Sequence, residues 1–174
     1  MAGLTGLLNS DPVFIMEQAQ QVKSWYGVTA EIAVENNLWH LVKVGGVALH
    51  HPPLVNLVLR RGMPRWERLY LSFLHEFGHL QTIPVAIFHL LWLGRYGRVK
   101  KRGVRGSLAV LAAAAVAHQA VWELASESYV IVKSGRQYGR IYRKHPNLPG
   151  QLLFWIGMSV TAVGLSLWIK GSKR

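Results

Sequence analysis

Between Leu69 and Gly94 the chain carries no lysine or arginine and a single acid, Glu76. Two more stretches are built alike. Gly106 to Val132 holds only Glu123 and Glu127, and Gln151 to Ile169 holds no formal charge. Each approaches or exceeds the roughly 20 residues that a helix needs to cross a bilayer. The cations gather between these runs. Arg95 to Arg105 forms one basic loop, Lys133 to Lys144 a second, and Lys170, Lys173 and Arg174 close the chain. Apolar runs alternating with basic loops restrict the fold to a membrane-embedded, mainly α helical bundle of about three transmembrane or half-inserted helices. Trp66 and Tyr70 at one end of the first run, and Trp92 and Tyr96 at the other, suit interfacial belts. Pro84 is expected to kink it.

Composition agrees with an integral membrane protein. Charged residues are 16% of the chain, against about a quarter in ordinary soluble domains. Mean hydropathy is +0.18. The formal charge of +12 would suit nucleic acid. The basic residues flank runs of spanning length, however, so anionic lipid headgroups are the expected partner and nucleic acid is not. With six cations in the loop after the first run and five after the second, the positive-inside rule leaves orientation near a tie. The absence of cysteine excludes disulfides and thiolate metal sites. The residues up to Pro12 lack the basic start of a secretory signal.

One domain, 1–174, is expected. Its first 60 residues read as a small α+β portion. Asp11-Pro12 starts a short amphipathic helix running to about Tyr26, where Gly27 stops it. Val28 to Val34 and Leu38 to Val44 alternate as a hairpin, Val47 to His50 reads as a third strand, and a helical piece covers Leu54 to Arg60. Helices over 69–94, 106–132 and 151–169 follow.

The chemistry of the first long run is concentrated in His75-Glu76-Phe77-Gly78-His79. Residues four apart share a helix face, so His75 and His79 offer two imidazoles to one metal ion. Glu76 lies about 100° further round, beside the metal, where it can take a proton from water. This is the zinc-hydrolase arrangement. Catalytic zinc takes three protein ligands. Only two acids lie downstream of the motif, Glu123 and Glu127, four apart in an apolar helix where an ionisable group is costly. If 69–94 and 106–132 form an antiparallel hairpin centred near residue 100, residue 77 lies level with residue 123. Both acids then face the motif.

These residues resemble the gluzincin metallopeptidases, whose H-E-x-x-H is followed by a later helix carrying Glu-x-x-x-Asp. The matching stretch is Glu123-Leu124-Ala125-Ser126-Glu127, with Glu127 standing where the family usually has Asp. The resemblance implies that Glu123 is the third zinc ligand, that Glu127 orients His75, and that Glu76 is the catalytic base. It also implies a minimal gluzincin core in the N-terminal portion, with Val44 to His50 as the strand holding a substrate. The expected activity is zinc-dependent hydrolysis of peptide bonds in membrane proteins or peptides.

A lipid or amide substrate would use the same chemistry. Site-2 proteases share H-E-x-G-H but draw an Asp from a later helix, and no Asp follows Asp11 here. Di-iron His-box oxygenases need several paired boxes, and His50-His51 is the only adjacent pair. A non-enzymatic membrane interaction protein with a metal site has no use for Glu76. His89 reads as a polar lining or a hydrogen-bonded helix residue, and His118 points about 140° away from Glu123. Tyr129, Tyr138, Tyr142, His145 and Arg136 are candidate donors to a transition-state oxyanion.

Overall fold

The computed structural model describes residues 19–34, 40–44, 47–51, 59–96 and 103–171. Among the described residues four strands precede the helices: β1 (Gln20–Lys23), β2 (Thr29–Val34), β3 (His40–Val44) and β4 (Val47–His51). They form one antiparallel sheet in chain order, with Val34 opposite His40 and Val44 opposite Val47. Five helices follow among the described residues: α1 (Arg65–Gln81), α2 (Ile83–Tyr96), α3 (Val104–Ser134), α4 (Arg136–Lys144) and α5 (Leu148–Gly171).

The helix expected to reach Tyr26 does not. Residues 20–23 of it form β1, with Gln20 opposite Ile32 and Lys23 opposite Thr29. Val22 and Trp25 fit a helical period, but β-branched Val22 packs instead on Ile32, Val34 and Leu69. Gly27 closes the β1–β2 turn and stops no helix. Its φ is +94°, and its N–H donates to the Ser24 carbonyl at 3.1 Å. Its part up to residue 18 lies outside the described residues, as does most of the piece expected over 54–60. Leu59 and Arg60 enter a turn.

α1 begins four residues before the expected Leu69, just after Pro64. Arg65 and Arg68 belong to its first turns, so the last cation did not mark the helix start. Two faces of α1 are buried. Leu69 joins Ile32 and Val34, with Phe73 and Phe77 alongside, against the sheet. Leu71 joins Met63, Val130, Ile141 and Tyr142, against α3 and α4. α1 therefore lies between the sheet and α3.

The kink expected at Pro84 is a full break. α1 and α2 meet at 53°. Pro84 has no N–H, so the Leu80 carbonyl loses its helical donor. The Val85 N–H turns to Thr82 at 2.9 Å, which frees the Gln81 carbonyl too. The β1–β2 turn supplies replacements. The Tyr26 hydroxyl donates to the Leu80 carbonyl, and Trp25 Nε1 to the Gln81 carbonyl at 3.1 Å.

The second basic loop is not a loop. Residues 136–144 form α4, whose Ile141 and Tyr142 are buried while Arg140, Arg143 and Lys144 face outward. α3 packs along α5 and α2, and α2 touches α5. The outer faces of these helices are apolar: Phe88 is 71% exposed, Leu91 68%, Leu153 70% and Val160 66%. α3 and α5 are each long and apolar enough to span a membrane, and α1 with α2 passes the same test only as a bent pair.

Candidate metal centre

His75 and His79 project from one face of α1, with ring centroids 4.6 Å apart. Glu123 meets both from α3. Its Oε2 lies 3.0 Å from His75 Nε2, and its Oε1 lies 3.5 Å from His79 Nε2. The three donor atoms fall within 4.8 Å of one another, a group that could hold a metal ion.

The two helices are held in register by close backbone approach. A Cβ at Gly78 would stand 2.7 Å from the Ser126 carbonyl oxygen. The Ser126 hydroxyl donates to the His75 carbonyl, and Trp122 Nε1 donates to the His79 carbonyl at 3.2 Å. Gln119 Nε2 donates to Glu123 Oε1 at 2.7 Å and orients that carboxylate.

Glu127 lies one turn beyond Glu123 and takes a different place. Its Oε2 is 3.0 Å from His75 Nδ1 and accepts from Arg60 Nη2 at 2.9 Å. Its Oε1 accepts from the hydroxyls of Tyr138 at 2.7 Å and Tyr142 at 3.3 Å. The residues expected at the site are thus brought together, with Glu123 against both histidines and Glu127 against His75 alone.

The donor set fits a divalent cation. Carboxylate oxygens stand 3.0 Å from both nitrogens of the His75 ring. A neutral imidazole has one N–H and satisfies one of them. If Nδ1–H donates to Glu127, then Nε2 presents a lone pair to Glu123, and two acceptors face each other. A second proton or a metal ion resolves that contact. The metal arrangement is the carboxylate–histidine–metal pattern.

Glu76 is buried, 1% exposed, and is engaged in its own interactions. On an ideal helix it lies about 60° from His79 and about 20° from Leu69. It therefore sits on the seam between the histidine face and the sheet face of α1.

Arg60, the last residue of the helical piece expected over 54–60, is 0% exposed. Burial opposes its charge, but Tyr142 and Glu127 outweigh burial and hold the guanidinium more firmly protonated than usual. Burial, together with Glu127, pushes the Tyr138 hydroxyl up, so it remains a donor. Nothing local in the sequence marks Arg60, because its contact with Glu127 spans 67 positions. α4 did leave a signal, the i, i+3, i+4 spacing of Tyr138, Ile141 and Tyr142.

The oxyanion candidates have contacts of their own. Tyr138 and Tyr142 serve Glu127. His145 Nε2 meets the Arg61 carbonyl at 2.9 Å, and Tyr129 packs edge-on against Phe77. Arg136 is exposed on α4. His118 stays out of the metal group, as its helix angle implied. It lies parallel to His89, ring centroids 5.8 Å apart, and His89 Nε2 meets the Ser166 hydroxyl at 3.1 Å.

No protein-family model, curated protein or solved structure matches this chain.

Proposed function

We propose that the chain is a membrane-embedded zinc metallopeptidase of gluzincin type, acting on membrane-associated proteins or peptides. The supporting observation is the meeting of His75, His79 and Glu123 across two helices, and Glu76 follows His75 in the sequence. Two imidazoles and one carboxylate are the ligand set of catalytic zinc that keeps a position open. When bound, zinc would polarise the scissile carbonyl and acidify a water.

The remaining chemistry belongs to the chain's own groups. Glu76 takes a proton from the attacking water and returns it to the leaving amine. Glu123 and the two histidines hold the cation, and Glu127 keeps the His75 ring in one orientation. Burial among apolar helices excludes bulk water and strengthens each of these contacts. In this reading α1 and α2 together make a third crossing beside α3 and α5. The motif lies about two turns inside the Trp66 end of α1, at ~1.5 Å per residue, so substrates reach it near the membrane interface.

The test uses detergent-purified protein. Metal analysis should find zinc in the wild type and none in His75→Ala. Glu76→Gln should keep the metal and lose roughly 10²–10⁴-fold in peptide turnover. Wild-type protein without metal would end this reading, and full turnover by Glu76→Gln would remove the base.

A further inference from the structure

We infer that Arg60 is a positioning residue of the metal centre, holding Glu127 as the anion that fixes the His75 ring. The inference rests on the metal-site reading above and adds a residue from outside both motif helices.

Arg60 is delivered from a turn with little freedom. Its own carbonyl accepts from the Met63 N–H at 3.2 Å across Gly62, whose φ is +85°. On one side the Leu59 carbonyl accepts from Gln151 Nε2 at 3.3 Å, and on the other the Arg61 carbonyl meets His145 at 2.9 Å. The turn is thereby tied to α5 and to the α4–α5 junction. From it the guanidinium reaches Glu127 Oε2 at 2.9 Å and the Tyr142 hydroxyl at 3.4 Å.

The same oxygen of Glu127 that accepts from Arg60 faces His75 Nδ1. This shared atom is the basis of the inference. A buried carboxylate needs a paired cation. With Arg60 present, Glu127 has its counter-charge and asks of His75 only one N–H. Without Arg60, the Glu127 oxygen that faces His75 Nδ1 loses the contact that holds it in place, and the ring loses its fixed orientation toward the metal group. Arg60 therefore acts on metal affinity through Glu127 and His75 while touching no donor atom of the metal group.

Cobalt(II) titration of purified protein in detergent tests this, with affinity and visible spectrum as readouts. Arg60→Met should weaken cobalt binding about 10–100-fold, the usual effect of losing a partner behind a metal ligand. Arg60→Lys keeps the charge but loses the fork, and should recover much of the affinity. The deciding comparison is made with Glu127→Gln. The amide oxygen can still accept from His75 while its NH2 faces the tyrosine hydroxyls, and no anion remains for Arg60 to hold. Adding Arg60→Met to that variant should then change affinity by no more than about twofold, the scatter of independent sites.

An equal loss in both backgrounds would overturn the proposal and make Arg60 a packing residue. So would wild-type affinity and spectrum in Arg60→Met. If Arg60→Met alone fails to fold, Glu127→Gln with and without it carries the test by itself. A wild-type protein that takes up no cobalt would overturn both the metal centre and this role. Binding unaffected by Arg60 would overturn the role alone.

Discussion

His75 is gripped at both ends of its ring, and the two grips have different consequences. Glu123 contacts both histidines, whereas Glu127 contacts one and is itself surrounded by Arg60, Tyr138 and Tyr142. Glu123→Ala should therefore abolish zinc binding with a modest change in folding stability. Glu127→Ala should weaken zinc about 10–100-fold. It should also destabilise the protein by roughly 3–5 kcal/mol, because Arg60 is left as an uncompensated buried charge. Metal analysis and thermal unfolding on the same preparations separate the two effects, and a reversed order of metal loss would exchange the roles. At this scale the sequence was informative about which residues, through spacing and elimination. It was silent on Arg60, because a contact spanning 67 positions leaves no local pattern.

Among the elements, α1 depends on its neighbours at both ends of the motif. Gly78 lets α3 approach until the Ser126 carbonyl lies where a Cβ would go, at 2.7 Å. Gly78→Ala should push the helices apart, cost about 1–3 kcal/mol as an overpacked contact, and lower zinc affinity. Unchanged unfolding and binding would mean that the helices separate without disturbing His75 and Glu123. At its C-terminal end α1 leaves carbonyls without helical donors, because Pro84 ends the ladder. Tyr26 and Trp25 fill that need from the sheet turn. Pro84 announced the break in the sequence. The aromatic donors were not legible, because each comes from a distant part of the chain. β1 and α4 depart from the expected pattern for related reasons. Val22 and Trp25 fit two periods, and the cations of α4 masked a short amphipathic spacing.

For the whole molecule, the outward faces of α2, α3 and α5 are the deciding surface. Side chains such as Phe88, Leu153 and Val160 are well exposed on helices that also pack against one another. A continuous apolar exterior of this kind fits hydrocarbon rather than water. The protein should stay in the membrane fraction through high salt and alkaline carbonate and come out only with detergent. Val160→Asp, on the exposed face of α5, should impair insertion by roughly 2.5–3.5 kcal/mol if it lies near the bilayer centre. Release by carbonate alone would remove the membrane reading.

Apolar run length, basic punctuation and the spacing of two histidines and two acids were enough, as sequence, to set a mainly helical protein with runs apolar enough to span a membrane and a helical turn that could hold a metal ion. Those properties are local or additive, since hydrophobic transfer and helical period accumulate residue by residue. Tertiary structure decided which acid meets which histidine, how the broken end of α1 is capped, and that one arginine of a basic cluster is buried as a counter-charge. Each of these depends on which distant segments share a few ångströms of space, and only the packing of sheet, turn and helices determines that.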